Sequence, residues 1–250
     1  MDRALYIAMS GAKQNTVSQT AHSNNLANAS TTGFRSDYTQ SRAMPVFGDH
    51  FPTRAFAMAE RPASDLRQGP LQETGRSLDV TIEGAGWFVV EGADGEEAYT
   101  RAGDLSVDPE GRLINGRGLQ LLSDGGPAVI PPFETIEIAR DGTISIRAQG
   151  EGSEAVAEVL QIRMVNPDSQ SLEKGTDGLF RIRGRQPGDP GAEIDPNMSL
   201  VSGFIEGSNV NAVTELTQVL AMNRQYEMQV KLMKTADENS AATTQLLSAQ

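Results

Sequence analysis

The chain has 250 residues, 38% of them hydrophobic, with 25 glycines, 12 prolines, no cysteine and a formal net charge of −12. A chain of this length can bury a core of its own in one or two domains, and its charge excludes nucleic acid and anionic lipid as partners of the surface as a whole. The lack of cysteine excludes disulfides, thiolate metal sites and a cysteine nucleophile.

The N-terminal stretch is nearly free of helix breakers: every proline falls between Pro45 and Pro196, and 23 of the 25 glycines fall between Gly48 and Gly207. Leu5, Ala8, Met9 and Ala12 recur at helical spacing, continuing more weakly through Val17 and Ala21, which predicts a helix. It should end near Asn24, Asn25 and Asn28, whose short amides compete for backbone partners, and at Gly33, which can adopt positive φ. Phe34 then supplies an apolar anchor after the turn.

The middle is a different kind of sequence. Residues 45–205 carry the whole of the −12, since the two ends cancel at +2 and −2. Short β-branched or alternating runs at 79–82, 87–90, 105–107, 136–138 and 143–146 read as strands. Asp94-Gly95, Asp108-Pro109-Glu110-Gly111, Asn115-Gly116 and Asp141-Gly142 supply tight turns between them. Gly84-Ala85-Gly86 lacks the third glycine of a dinucleotide fingerprint and leads into a strand, so it reads as a hairpin turn. Trp87 and Phe88 are expected in the core of that strand, and 184–196 as an exposed loop.

After Asn209 the pattern turns helical again. Ala212, Leu216, Val219, Asn223, Tyr226, Val230 and Met233 alternate at steps of four and three, a heptad seam that continues more weakly through Asp237, Ser240, Thr244 and Leu247. Ser208 or Asn209 is positioned to cap it. Leu220, Met222, Met228 and Leu232 form a second strip, so this helix should meet more than one neighbour. Neither terminal helix can bury its stripe alone. The predicted fold is therefore α+β: N- and C-terminal helices pairing into a coiled-coil-like layer around an all-β central domain, with segments 1–34, 35–205 and 206–250. The polar Asn223 within the seam and its Met-rich flanks favour packing among copies.

Chemistry for catalysis is missing. The two histidines, His22 and His50, are not paired at helical spacing, so no metal site and no cofactor are expected. Asp94, Glu96 and Glu97 could in principle ligate calcium, but the EF-hand spacing is absent. The N-terminus lacks the pattern of a secretory signal, and no run of 18 apolar residues predicts a membrane span.

The segment Asn24-Asn25-Leu26-Ala27-Asn28-Ala29-Ser30-Thr31-Thr32-Gly33-Phe34-Arg35 resembles the N-terminal signature of the bacterial flagellar rod and hook proteins. Glu206-Gly207-Ser208-Asn209-Val210, with Glu215-Leu216 and Arg224-Gln225-Tyr226-Glu227 after it, is similar to their C-terminal signature. The central run Leu78 to Val90 and the stretch Tyr99-Thr100-Arg101-Ala102-Gly103 resemble their middle region, although Trp87 stands where relatives more often have phenylalanine. Within the family, the opening Met1-Asp2-Arg3-Ala4-Leu5-Tyr6 looks most like the proximal-rod branch, with the distal-rod branch as its rival.

The resemblance implies a non-enzymatic subunit of the flagellar basal body. It implies export through the flagellar type III apparatus without a cleaved signal, helical polymerisation with other rod proteins and copies of itself, paired terminal helices as the inner layer of a tube, and the β domain outside. The signatures and the seam together give the expected assembly interface: Asn24, Asn25, Leu26, Asn28, Gly33, Phe34, Ser208, Asn209, Leu216, Val219, Asn223, Tyr226, Val230 and Met233. The alternative from another class is a β-rich ligand- or calcium-binding module whose terminal helices dimerise.

Overall fold

Both ends are helical, as α1 (Arg3–Ala27) and α2 (Ala212–Ser248), in a computed structural model that describes residues 3–47, 52–59, 63–148, 156–186 and 189–248. α2 runs 37 residues without a break, in keeping with a stretch that contains neither glycine nor proline. Its cap is Asn211 and not Ser208 or Asn209: the Asn211 side-chain oxygen accepts from the N–H groups of Val213 and Thr214, each at 3.1 Å. His50 lies outside the described residues.

The chain divides into two compact units. The helical unit takes residues 1–29, 36–65 and 210–250. Alongside the helices it holds an antiparallel hairpin of Ser41–Phe47 with Pro52–Ala59 and a small bridge of Asp37–Tyr38 with Ala63–Ser64. Residues 36–65, expected in the central domain, thus cluster with the helices. Asn25 gives the reason: its side-chain amide donates to the carbonyl of Asp37 at 2.9 Å and accepts from the Asp37 N–H at 2.8 Å, engaging both backbone groups as a neighbouring strand would.

The β-rich unit takes residues 30–35 and 66–209. Its largest sheet has five antiparallel strands in the order Met164–Val165, Trp87–Glu91, Glu97–Thr100, Phe180–Ile182, Leu172–Lys174. The strand Trp87–Glu91 is buried on both faces. Phe88 and Val90 point into a core with Val80, Ile82, Leu105, Leu113 and Ile144, while Trp87 and Val89 point into a second core with Tyr99, Val165 and Phe180. The strands expected at 105–107, 136–138 and 143–146 are present as Leu105–Val107, Phe133–Ile138 and Thr143–Ala148.

Two turns differ from expectation. Val80–Glu83 pairs with Ser199–Ser202 instead of with Trp87–Glu91, so Gly84-Ala85-Gly86 is a corner between two sheets and not a hairpin. In the turn after Leu113–Asn115 the positive φ falls at Gly118, not at Gly116. The Asn115 side chain, accepting from the Arg117 and Leu119 N–H groups, organises that longer turn.

Candidate assembly interface

α1 and α2 lie antiparallel within one chain. His22 Nδ1 is 2.6 Å from Glu215 Oε2, and Gln19 Nε2 donates to Asn223 Oδ1 at 2.8 Å. Further along, a Cβ on Gly11 would come within 3.0 Å of Gln229 Nε2. The half-buried positions of α2 are Glu215, Val219, Met222, Gln229, Met233, Ala236 and Ser240. Their spacing is again that of a heptad, but it agrees with the expected seam only at Val219, Met233 and Ser240. α1 answers with small or polar residues: Ala8, Ala12, Asn15 and Ser18 are buried, whereas Met9 and Val17 of the expected stripe are exposed. The close approach of the two helices depends on those small side chains.

The remainder of α2's apolar surface stays open. Leu216 is 50% exposed, Tyr226 and Val230 42% each, and Val213, Leu220, Met228, Leu232 and Leu246 are exposed as well. A row of large apolar side chains left in water marks an interaction surface. Beside it, between α1 and the hairpin, lies a shallow groove of ≈ 280 Å³ bordered by Ile7, Gly11, Phe56 and Gln229.

The asparagines at the end of α1 have separate tasks. Asn28 donates to the carbonyl of Asn24 twice, through its side chain at 2.9 Å and its backbone N–H at 3.1 Å, which pins the last turn of the helix. Asn25 is 1% exposed and fixes Asp37 as described, Leu26 is half-buried, and Asn24 is exposed.

The other signature residues meet in the β-rich unit. Gly33 has φ of 67°, and its N–H donates to the Glu206 carbonyl at 2.7 Å. A Cβ at Gly33 would fall 2.3 Å from the carbonyl carbon of Arg101, so glycine is required by both conformation and space. Phe34 is buried with the Lys174 ammonium 3.9 Å from its ring centre, and Lys174 Nζ also donates to the Arg35 carbonyl at 2.7 Å. Asn209 donates from its backbone to the Phe34 carbonyl at 3.3 Å and from its side chain to that of Arg67 at 3.1 Å. Ser208 is buried.

Under this pairing sits a buried charge cluster. Glu206 is fully buried, with one oxygen 2.5 Å from Arg35 Nη1 and 3.0 Å from the Gly69 N–H, and the other 3.2 Å from Arg101 Nη1. Arg101 reaches on to the carbonyls of Ile82 and Gly84. Two guanidiniums thus share one carboxylate. Burial, with Arg35 adding to it against the opposing pull of Glu206, brings the Arg101 guanidinium down to about 10. The face of Trp87 takes up part of the surplus charge, with the guanidinium carbons of Arg35 and Arg101 at 5.9 and 5.7 Å from its ring centre. Sequence reasoning did not single out this cluster. Its signal was one charged residue in each of three matched stretches: Arg35 among polar and small residues, Arg101 after Tyr99-Thr100, and Glu206 ahead of Gly207.

Of the expected interface residues, Gly33, Phe34 and Ser208 are therefore buried in the β-rich unit with Asn209 half-buried beside them, and Asn25 is buried in the helical unit. Leu216, Asn223, Tyr226 and Val230 lie on exposed positions of α2. Of the loop carboxylates considered for calcium, two are held by cations of the chain itself: Asp94 by Arg181 at 2.9 Å, and Glu97 by Arg163 at 2.5 Å and Arg185 at 3.4 Å.

Paired terminal helices with an open apolar face, and a β-rich unit that ties the two signature segments together, fit a structural subunit. Residues 5–35 match the family described as flagella basal body rod protein, 81–146 the flagellar hook protein FlgE/F/G D1 domain, and 201–246 the flagellar basal body rod FlgEFG protein C-terminal region. The chain belongs to the flagellar basal-body rod protein family, a family of structural subunits. It is 40% identical to the flagellar basal-body rod protein FlgF of Escherichia coli (strain K12), over 99% of each chain, and equally so to FlgF of Salmonella typhimurium. FlgG of Buchnera aphidicola subsp. Acyrthosiphon pisum is 31% identical over 97% of this chain and 99% of its own.

Proposed function

We propose that the chain is a rod subunit that polymerises helically with copies of itself and with other rod proteins, through the exposed faces of α2, to carry torque from motor to hook. One observation carries the reading: α2 uses a single face on α1 and leaves Leu216, Leu220, Tyr226, Met228, Val230 and Leu232 in water. A shaft under torsion distributes load over many copies of one heterologous contact, which is what such faces supply when repeated. The signature residues Asn24, Asn25, Leu26, Asn28, Gly33, Phe34, Ser208 and Asn209 contribute indirectly, by fixing the backbone at the ends of α1 and ahead of α2.

In this reading the subunit catalyses no reaction and binds no cofactor. It is exported through the flagellar type III apparatus without a cleaved signal and takes its place in the periplasm-spanning rod of the basal body. Among the described residues no helix is long and apolar enough to cross a membrane.

The test is assembly. Purified full-length chain mixed with other rod proteins should sediment as a larger complex, and removing its gene from a flagellated cell should stop basal bodies at the rod. Persistent monomer together with intact basal bodies in the deletion strain would defeat the proposal.

A further inference from the structure

A second cluster of charge in the β-rich unit lies apart from Glu206. Asp79 and Asp104 are partners in an isolated antiparallel bridge. Directly opposed residues of neighbouring strands place their side chains on one face, and like charges there repel. The Asp79 side chain is 3% exposed, and the Oδ1 atoms of both carboxyls are buried without a hydrogen-bond donor.

The surroundings offer little compensation. From the preceding turn, Arg76 Nη1 comes to 3.4 Å from Asp79 Oδ1, but its side chain is 61% exposed and its other arm donates to the Leu105 carbonyl at 3.3 Å. From the turn after Leu113–Asn115, Gly116 packs so closely that a Cβ would fall 2.0 Å from Asp104 Oδ2, and the N–H groups of Asp104 itself and of Gly116 donate to that carboxyl. From the far strand, the Gly203 N–H donates to the Asp79 carbonyl at 2.7 Å. None of these supplies a full second positive charge. A proton would: a carboxyl that keeps its hydrogen can donate to the bare oxygen of the other.

We propose that the Asp104 carboxyl keeps a proton against the Asp79 carboxylate and that the pair acts as an acid-operated lock, fastening residues 76–80 to 103–105 more firmly as the medium acidifies. Burial, and after it the charge of Asp79, hold the Asp104 carboxyl above the usual carboxylate range, which agrees in direction. The folded chain then keeps a proton that the unfolded chain releases. Stability is accordingly gained as pH falls from neutral through the folded value, and the gain is complete at the ordinary value of about 4. Asp94 and Asp141 respond oppositely: the N–H groups of Glu96 and Thr143 hold their carboxyls down, so they lose stability in acid. The lock is therefore read as a difference between variants.

Thermal unfolding of the full-length chain and of Asp104→Asn is compared from neutral pH downward. The amide can donate to Asp79 without titrating, so the variant should melt higher at neutral pH by about 2–4 °C. The gap should close towards pH of about 4. A gap of constant size, or a variant less stable than wild type at neutral pH, would overturn the proposal. Carbon-13 NMR of the wild-type carboxyls decides independently of whether the variant folds: Asp104 must titrate above the ordinary range. Stabilisation of the wild-type chain, but not of Asp104→Asn, by calcium at neutral pH would assign the pair to a divalent cation and overturn it as well.

Discussion

Arg35 and Glu206 form an ion pair at 2.5 Å in which neither side chain is more than 1% exposed. It lies where the N-terminal signature and the C-terminal signature run side by side, and Arg101 engages the remaining carboxylate oxygen at 3.2 Å. Such a cluster holds only if its geometry and hydrogen bonds offset the loss of water, and removing one partner leaves uncompensated charge.

Glu206→Gln is expected to leave two buried guanidiniums without a counter-ion. The cost should be about 3–5 kcal/mol. Denaturant unfolding of the full-length chain measures it, and an unchanged midpoint would show that the cluster contributes nothing to the fold.

Gly33→Val combines strain at positive φ, about 1–3 kcal/mol, with a collision against the Arg101 backbone. The division of the sequence into segments 1–34 and 35–205 puts this turn outside the β-rich middle, which would then melt normally in the variant. The contact with Arg101 predicts the reverse, a lower melting temperature of the β-rich unit followed by near-ultraviolet circular dichroism.

Asn211→Ala should weaken the first turn of α2 by about 1 kcal/mol, whereas Asn209→Ala should leave that turn intact. Hydrogen exchange at the Val213 and Thr214 amides distinguishes the two.

Val230→Asp tests assembly apart from folding. Val230 is 42% exposed, so the purified variant should keep the thermal transition of the β-rich unit. In the rod the added carboxylate would be desolvated, at a cost of several kcal/mol, roughly, unless it were protonated or paired. Rod growth should stop where this subunit enters, while Glu227→Gln should be silent. Unfolding of the Val230→Asp monomer would move this face into the chain's own core.

Limited proteolysis separates two divisions of the chain. If residues 36–65 depend on the helices, as their packing indicates, the resistant core should start near residue 66. A core starting near residue 35 would restore the simpler three-segment division.

The terminal helices, the β-rich middle and the positive φ of Gly33 were legible because each rests on local chemistry: missing breakers, β-branched alternation, a glycine after asparagines. The face that α2 gives to α1 was not. Leu216 and Val230 look like seam residues in a hydrophobic pattern, but the partner surface is built from Ala8, Gly11, Ala12, Asn15 and Ser18, whose small size a hydrophobicity pattern does not register. Strands such as Phe180–Ile182 and Phe204–Glu206 are three residues long, too short for alternation to appear. The Arg35, Arg101 and Glu206 cluster brings together three distant points, and no spacing rule connects them.

Trp87 is the only tryptophan in the chain and is 5% exposed, wedged beside Phe180 and the two guanidiniums. The protein therefore carries a built-in optical gauge at one known point. Its indole should emit at short wavelength while the charge cluster stays dry and shift to the red once water enters. Because the helical unit contains no tryptophan, its melting or docking is silent in that signal, and a single emission spectrum reports on the β-rich unit alone.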